Sequence, residues 1–353
     1  MGRIFTKGLA TGLIGRVIGA MGLAIMLGSS VTPAEKPGPE YSPQPPFDGT
    51  LSVLTYNVKG LPWPLANSRS NSLKKIGERL RQLRVKGQQP EIVLLQEVFT
   101  DDARKIAQIS GYRYVADGPS ADDQSAIKAT QADRQFAAEG SWLKGENIGK
   151  LAGSGLQILS DFPITAVYKN PFPDYGCAGY DCLSNKGAML AVIDVEPLGT
   201  FVQIGNIHMN SKRHSRASPE RRIFAYQRQV DATYDFFKSH YDERYPLVFG
   251  GDFNIGYMAK RADILFEKDW PIKLQNDGLR TLATRTSMQP DAQVALDKSA
   301  DWQFSKSGRR ALIQIKSVDV PFRKSKLGQS LSDHVGYTIN YGLTTNSLAL
   351  EHN

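Results

Sequence analysis

The sequence predicts a single α/β domain with mixed β-sheets at its centre and helices on the outside. Strand-like and helix-like segments alternate from Leu51 onward, as they do when helical crossovers join parallel strands. Several neighbouring strand-like segments are joined by short turn-like links, which favour antiparallel pairs. With 353 residues, of which 41% are hydrophobic and 22% charged, the chain is long enough to bury a large core.

The segments themselves follow from hydrophobic spacing. Apolar residues recur every three or four positions across 70–85, opposite Lys and Arg, which predicts an amphipathic helix, and a short helix fits 101–110. Ser218 and Pro219 supply an N-cap and a first-turn proline to a long helix over about 219–239. The remaining regular segments are predicted strands, at 51–58, 91–98, 112–116, 155–160, 164–168, 187–195, 201–208, 246–249, 312–318 and 335–341.

Residues 117–153 are polar and rich in Ala and Asp, and they predict a surface insertion that carries a helix around 125–139. A plain insertion is one interpretation. A lid or a membrane contact through Trp142 and Leu143 is the other.

The N-terminal residues predict export. Arg3, Lys7 and Arg16 precede an apolar run over 17–27, and small residues follow as far as Ala34. A basic region, a short apolar region and a small-residue exit are typical of a cleaved secretory signal peptide. The apolar run is short for a bilayer span, so an uncleaved membrane anchor is the less favoured alternative. We therefore expect a periplasmic or secreted protein.

The sequence thus divides into a signal peptide over 1–34, a Pro-rich linker over 35–49, a folded domain over 50–342 and a C-terminal tail over 343–353. The formal net charge is +8, and three of those charges lie in the first 34 residues, which contain no acid. The modest positive excess of the remainder suits phosphate esters or membrane surfaces as partners, and it does not single out nucleic acid.

The chain contains two cysteines, Cys177 and Cys182, in a Gly-containing loop. In an oxidising compartment they could form a disulfide that braces the loop. Two free, buried thiols are the alternative.

Polar residues recur where the predicted strands end. The segment GGDFN follows the strand at 246–249 and places Asp252 and Asn254 on one face, with Phe253 pointing into the core. Open α/β sheets bind ligands at the carboxyl ends of their strands, so we expect these residues to converge on one cleft. The full set is Asn57, Glu97, Asn206, His208, Asp252 and Asn254 at strand ends, with Asp301 in ADWQF and Asp333 and His334 just before the last strand.

These residue types indicate a reaction class. Glu97 is a hard oxygen ligand that suits Mg²⁺, whereas the Cys and His spacing of a tight zinc site is missing. His334 has two candidate partners, Asp333 and Asp301. The sequence contains no P-loop, no Gly-x-Ser-x-Gly elbow and no Cys nucleophile motif. The remaining chemistry is metal-assisted attack of water on phosphorus, with Asn and His donors holding the phosphate oxygens.

Six motifs, in the order TYNVKGLP, LLQEV, SGLQILS, NIHMNS, GGDFN and SDHVG, resemble the endonuclease/exonuclease/phosphatase superfamily from about Leu51 to Tyr341. The resemblance implies a four-layered α/β sandwich, in which two packed mixed β-sheets are flanked by helices. It also implies a metal-dependent phosphoric diester hydrolase that uses Mg²⁺, with Mn²⁺ or Co²⁺ as substitutes.

The resemblance further implies roles for individual residues. Asn57 and Glu97 would form the Mg²⁺ site, with Glu97 as the direct ligand. Asp252 and Asn254 would orient water and bind phosphate. Further contacts would come from His208, which would touch the transition state, and from His334, which would serve as general base or phosphate contact with support from Asp301 or Asp333. Whether Asp252 or His334 is the base stays open.

Within this superfamily, residues 181–187 (DCLSNKG) are similar to a segment of neutral sphingomyelinases in which an Asp and a Lys form part of an active-site switch. This similarity implies a switch of Asp181 and Lys186, and we expect Asn206 to face the substrate with them. The chain departs from the sphingomyelinase pattern at Lys59, where that group carries Trp, and in NIHMNSKRH, where it carries Thr-His-Leu-x-Ala.

The favoured hypothesis is a secreted, monomeric enzyme that converts sphingomyelin to ceramide and phosphocholine at a membrane surface. The alternatives are a secreted DNase-type nuclease and a phosphoinositide or sugar-phosphate phosphatase of the same fold. A catalytically inactive binding module would be expected to lack Glu97, Asp252 or His334, and all three are present.

Overall fold

Two mixed β-sheets lie at the centre of the structure, a computed structural model that describes residues 46–62, 66–212, 214–256, 258–270, 300–322 and 330–346. The expected signal peptide, most of the linker and residues 347–353 of the expected tail lie outside the described residues. No helix within the described ranges is long and apolar enough to cross a membrane.

The strands in chain order are β1 (Thr50–Asn57), β2 (Ile92–Gln96), β3 (Tyr114–Asp117), β4 (Gln157–Ser160), β5 (Ile164–Pro171), β6 (Gly187–Val195), β7 (Thr200–His208), β8 (Leu247–Asp252), β9 (Asp301–Lys306), β10 (Ala311–Asp319) and β11 (Tyr337–Thr345). The α-helices are α1 (Ser70–Val85), α2 (Asp101–Ser110), α3 (Gln131–Ala138), α4 (Pro219–His240) and α5 (Ala259–Phe266).

The first sheet has the strand order β10-β11-β1-β2-β4-β3 and the second has the order β5-β6-β7-β8-β9. Each sheet has one parallel pair at its centre, β1 with β2 and β7 with β8, and the other neighbours are antiparallel. The mixture of parallel and antiparallel pairing agrees with the alternation of helical crossovers and short links in the sequence.

Three apolar cores separate four layers. Buried side chains of both sheets, among them Leu94, Met189 and Val248, meet in the central core. Helices α1 and α2 cover the outer face of the first sheet, and α4 and α5 cover the outer face of the second. The predicted four-layered α/β sandwich is confirmed.

Local sequence signals predicted the bounds of the helices closely. Helices α1 and α2 have the predicted bounds, and α4 begins at Pro219 with Ser218 accepting a hydrogen bond from Arg221 N–H, as an N-cap does. In the insertion, α3 covers only Gln131–Ala138 because Thr130 and Asp133 form a capping box that sets its start.

Among the described strands and α-helices, β9 and α5 were not predicted. The final strand, β11, continues to Thr345, beyond the expected domain end at 342. The extension is explained by pairing, because Leu343, Thr344 and Thr345 lie opposite residues of β10. Strand β9 has mixed residues that become strand-like only through antiparallel pairing with β8.

Candidate active site

The sheet register brings the sequence-predicted polar residues to one edge of the molecule. Asn57 ends β1, Glu97 follows β2, and His208 and Asp252 end the paired strands β7 and β8. Because both central pairs are parallel, each pair presents two carboxyl ends at the same edge.

The amino ends of the neighbouring antiparallel strands lie at the same edge. Asp301 begins β9 directly opposite Asp252, and His334 stands three residues before β11, whose Tyr337 pairs with Thr55. Asp301 therefore starts a strand and His334 precedes one, whereas Asn57, Glu97, His208 and Asp252 end or follow strands. The antiparallel direction of β9 brings Asp301 to the same place.

The two glycines of GGDFN allow close packing at this edge. A Cβ on Gly250 would lie 2.8 Å from Leu94 Cδ1 and 2.9 Å from the side chain of Gln303, so only glycine permits the two sheets to approach here. Gly251 has a φ of 133°, a conformation that other residues rarely adopt. Phe253 is fully buried, as the strand alternation predicts.

Asn57 joins two carboxylates at the base of the cleft. Its Nδ2 donates to Glu97 Oε1 at 3.1 Å and to Asp252 Oδ2 at 3.0 Å, and its Oδ1 accepts from Lys59 N–H at 3.0 Å. Glu97 has a φ of 60°, an unusual backbone conformation for a residue other than glycine. The Glu97 side chain is 12% exposed while that of Asp252 is 2% exposed, so Glu97 is the carboxylate that opens toward solvent.

His208 is buried beside the same carboxylates. Its Nε2 lies 3.6 Å from Asp252 Oδ2 and 3.9 Å from Glu97 Oε1. Burial, together with the nearby cations of Lys186 and His334, lowers the pKa of His208 well below its usual value, so the imidazole is neutral at neutral pH.

His334 pairs with Asp301. His334 Nδ1 donates to Asp301 Oδ2 at 2.7 Å, which leaves Nε2 facing Asp252 Oδ2 at 3.9 Å. Asp333 instead accepts from Lys59 Nζ at 2.9 Å, because adjacent residues direct their side chains differently. Of the two partners that the sequence left open for His334, the structure selects Asp301.

The protonation of this pair follows from burial and charge. Burial raises the pKa of Asp252 to about 7, with His334 opposing this rise and Asp301 adding to it. Burial acts in the opposite sense on His334, but the carboxylates of Asp301 and Asp252 outweigh it and raise the pKa of His334 well above 6.5. The cleft therefore holds a carboxyl group that titrates near neutrality beside an imidazolium.

Asn254 follows Asp252 in a turn. Its backbone N–H donates to Asp252 Oδ1 at 2.9 Å, and its Nδ2 donates to Met209 O at 3.0 Å. Asn254 has a φ of 51°, so the strand alternation that predicted its direction ends at Asp252. The turn nevertheless keeps Asn254 beside Asp252.

Sequence reasoning missed Arg261, which is fully buried behind the turns that follow β7 and β8. Its guanidinium donates to the carbonyl oxygens of Asn210 at 2.7 Å, Asn254 at 2.8 Å and Ser211 at 3.4 Å. The signal in the sequence was its spacing in α5. Ile264 and Leu265, three and four positions later, share its helical face and are also buried.

Asp181 and Lys186 form an ion pair beside the cleft. Lys186 Nζ lies 3.0 Å from Asp181 Oδ1 and donates to Met209 O at 3.1 Å, while Asp181 also accepts from Ser211 N–H. Met209 O thus receives hydrogen bonds from both Lys186 and Asn254. The side chains of Lys186 and Asp181 are 6% and 11% exposed, so neither is a free surface charge.

Cys177 and Cys182 are joined in a disulfide that encloses the residues leading to Asp181. The expectation of a disulfide is confirmed, and no free cysteine remains. The bridge closes a short loop around a 3₁₀ turn at Gly179–Leu183, and so restricts the backbone that carries Asp181.

Asn206 does not reach the cleft. Its Nδ2 donates to Leu95 O at 3.0 Å and to Gln157 O at 3.1 Å, and its Oδ1 accepts from Gln96 Nε2 at 2.8 Å. The side chain shares a strand face with His208, but that face is covered by the first sheet at this position. Asn206 therefore links the sheets, and the expectation that it faces the substrate is not supported by its position.

Within the described residues, two groups of side chains are arranged to hold a metal ion, Glu97 with His208 and Asp252, and Asp252 with Asp301 and His334. In each group the ligand atoms lie within 4.8 Å of one another. The paired carboxylate oxygens of Glu97 and Asp252 suit a hard divalent cation.

Comparisons with known proteins show which proteins this chain resembles. A sphingomyelinase from Mycobacterium tuberculosis is 23% identical over 322 residues, which cover 88% of this chain and 56% of the relative. The chain thus spans about half the length of the curated relatives that it matches.

Among solved structures, a beta toxin variant from Staphylococcus aureus with bound magnesium ions matches with a TM-score of 0.54 and 18% identity, over 82% of this chain and 98% of the toxin. Sphingomyelinase C from Streptomyces griseocarneus matches with a TM-score of 0.52 and 19% identity, over 82% of this chain and 99% of that protein. These likenesses establish a shared fold.

Residues 54–334 match the model of the Endonuclease/Exonuclease/phosphatase family, a range that includes every polar residue of the cleft described above. The chain belongs to the endonuclease/exonuclease/phosphatase family.

Proposed function

We propose that this protein is an exported, Mg²⁺-dependent phosphodiesterase that hydrolyses sphingomyelin to ceramide and phosphocholine. The observation that carries the proposal is the convergence of Asn57, Glu97, Asp252, Asp301 and His334 from three strands and two loops in one cleft. Carboxylates, an oriented imidazole and amide donors are the groups that metal-assisted phosphodiester hydrolysis requires.

Glu97 is the residue that would hold Mg²⁺, because its carboxylate is a hard oxygen donor and opens to the cleft. Asn57 would orient this carboxylate and that of Asp252 through its Nδ2. When bound, the ion neutralises phosphate charge and polarises the phosphorus–oxygen bonds. The solved beta toxin with bound magnesium ions supports the choice of ion.

Asp252 is the proposed base for the attacking water. Its pKa of about 7 gives a group that is about half ionised at neutral pH and basic enough to accept a proton. His334, held as a cation by Asp301, would contact the phosphate oxygens as negative charge develops on them. Asn254 and neutral His208 would add donors beside Asp252.

Sphingomyelin is the proposed substrate because curated relatives of this chain are sphingomyelinases and because Asp181 and Lys186 form an ion pair beside the cleft. Lys186 lies close enough to affect the pKa of both His208 and Asp252. Its charge can therefore act on a phosphate bound beside them. The disulfide and the basic, apolar N-terminal sequence support export.

The test is a parallel assay of the purified protein with Mg²⁺ on sphingomyelin vesicles, phosphatidylcholine vesicles and plasmid DNA. We expect phosphocholine release from sphingomyelin, at a rate at least tenfold above that from phosphatidylcholine. EDTA should remove the activity, and added Mg²⁺ should restore it.

An Asp252→Asn preparation serves as the control, because it should be inactive and so exclude a contaminating hydrolase. Full activity in excess EDTA would refute the metal dependence. Cleavage of DNA without lipid hydrolysis would replace the sphingomyelinase assignment with that of a nuclease.

A further inference from the structure

Four large apolar side chains are exposed on the loop between α3 and β4. Trp142, Leu143, Ile148 and Leu151 are 68%, 68%, 51% and 72% exposed. They make up four of the eight large hydrophobic side chains that are exposed in the described ranges, although they lie within ten residues of one another. Scattered exposed apolar residues are ordinary, but such a concentration marks a surface for interaction. We refer to these four residues as the apolar loop patch.

The two ends of the patch are held against the same residue. Gly145, which ends the turn of Trp142 and Leu143, is so close to Leu183 that an added Cβ would lie 3.0 Å from Leu183 Cγ. Leu151 N–H donates to Leu183 O at 2.8 Å. The four side chains therefore project from neighbouring stretches of backbone.

The exposure of the patch is not the result of a loosely held loop. Glu146 lies beneath it, 3% exposed, and accepts from Ser141 N–H at 2.6 Å, Gly179 N–H at 2.8 Å and Arg221 Nε at 3.0 Å. The loop thus turns its charged group inward and its apolar groups outward. Folding alone does not explain why the carboxylate is inside and the apolar side chains are outside. Burial of a carboxylate costs free energy, whereas burial of Trp or Leu is favourable.

Exposed cations lie beside the patch. Lys144 is exposed between Leu143 and the second half of the patch, and the exposed Arg216 lies over the ring of Tyr180 at 5.9 Å. Glu146, the single acid between residues 140 and 151, is buried, and the exposed Glu139 directly precedes this range. Apolar side chains flanked by cations complement a lipid surface, in which acyl chains lie below phosphate groups.

The patch is also connected to the cleft. Leu183, which lies against Gly145 and accepts a hydrogen bond from Leu151 N–H, lies in the sequence between Asp181 and Lys186 of the ion pair. Tyr180 OH donates to Leu143 O at 3.5 Å. A surface that engages the patch would therefore lie beside the segment that borders the cleft.

We propose that the apolar loop patch docks the protein on a lipid bilayer, with Trp142 and Leu143 entering the interface between headgroups and acyl chains. The proposal rests on the proposed function in that a phosphodiesterase acting on a membrane lipid must reach its substrate at this interface. A Trp with Leu neighbours suits that depth, because the indole ring is apolar and carries one N–H donor.

The test measures partition onto sphingomyelin/phosphatidylcholine vesicles by sedimentation, in EDTA so that the lipids remain intact. We expect Trp142→Ser with Leu143→Ser to lower the partition coefficient of the wild type at least about tenfold, and Ile148→Ser with Leu151→Ser to act in the same direction. Val85→Ser is the matched control, because Val85 is 69% exposed but lies at the end of α1, in the helix layer of the first sheet. The Val85→Ser variant should bind vesicles as the wild type does.

Activity provides the second measurement. The Trp142→Ser/Leu143→Ser variant should lose at least about tenfold in kcat/KM on sphingomyelin vesicles and keep its rate on soluble bis(p-nitrophenyl) phosphate. If the wild type hydrolyses neither substrate but partitions as expected, the proposed function fails and the docking surface stands. Equal partition of the wild type and this variant overturns the docking proposal. So does a change of oligomeric state in this variant without a change in partition, because the patch would then be a protein interface.

Discussion

At the scale of single residues, Asp301 is the group that raises the pKa of both Asp252 and His334. Its carboxylate contacts His334 Nδ1 at 2.7 Å and lies opposite Asp252 in the strand register. Its negative charge raises the pKa of His334 and also that of Asp252. The sequence placed Asp301 among the site residues and left open whether Asp301 or Asp333 serves His334.

The pH dependence of the proposed reaction follows from these directions. Asp252 must be ionised to act as a base, so activity should fall as the pH drops below about 7. His334 must be protonated to hold the phosphate, so activity should also fall at alkaline pH, above the usual range of a histidine. Asp301→Asn removes a charge that raises both pKa values, and both limbs of the profile should therefore move to lower pH, with kcat/KM reduced by about 10²-fold or more.

The measurement is kcat/KM against pH on a soluble phosphodiester. Asp333→Asn is the control, because Asp333 lies next to His334 in sequence but bonds to Lys59. It should leave both limbs near their wild-type positions. If Asp333→Asn moves the limbs and Asp301→Asn does not, the assignment of Asp301 as the partner of His334 is wrong.

At the scale of elements, α5 supports two turns through Arg261. The guanidinium binds the carbonyl oxygens of Asn210 and Ser211 after β7 and of Asn254 after β8. It also lies over the ring of Tyr226 at 4.5 Å, which connects α5 to α4. One side chain thus connects the two turns that directly follow His208 and Asp252.

We therefore expect Arg261→Ala to lower kcat by about 10²-fold, since small displacements of reacting groups are costly in rate. Guanidinium chloride at millimolar, non-denaturing concentration should restore part of this rate by occupying the vacated site. Lys260→Ala is the matched control, because Lys260 is the exposed neighbour on the same helix. The measurement is the rate of phosphodiester hydrolysis with and without guanidinium. A wild-type rate in Arg261→Ala would contradict the positioning role.

At the scale of the whole molecule, polar side chains join the two sheets just behind the cleft. Asn206 on β7 binds Leu95 O, Gln157 O and Gln96 Nε2 of the first sheet, and Gln303 Nε2 on β9 donates to Val53 O at 3.1 Å. These bonds satisfy polar groups in an interface that is otherwise apolar. They favour one relative placement of the sheets, and with it one geometry of the cleft.

Asn206→Asp should destabilise the protein by about 3–5 kcal/mol, because a carboxylate would face two carbonyl oxygens in a buried position. Asn147→Asp is the matched control, since Asn147 Nδ2 also donates to a carbonyl oxygen, that of Ala137 at 2.8 Å, but on the exposed surface. The control should change stability by less than about 1 kcal/mol. Urea unfolding measures both free energies. Unchanged stability of Asn206→Asp would show that Asn206 does not join the sheets.

The sequence by itself determined the elements whose signals are local. The apolar period of α1 and the cap and proline of α4 specify those helices, and the residue types at strand ends identify the members of the cleft. Segment β9 lacks a local signal of this kind, and Asn206 was misplaced because strand alternation gives the face of a side chain but not what covers that face.

Only the tertiary structure decided which of these residues meet. Asn57 and Asp252 are 195 positions apart, and Asp301 and His334 are 33 apart, yet each pair is hydrogen bonded. Such pairs depend on strand register and on the packing of one sheet against the other, which no short stretch of sequence encodes. Most members of the cleft were therefore readable from residue types, whereas their protonation, their hydrogen-bond partners and the connection of the cleft to the apolar loop patch required the folded molecule.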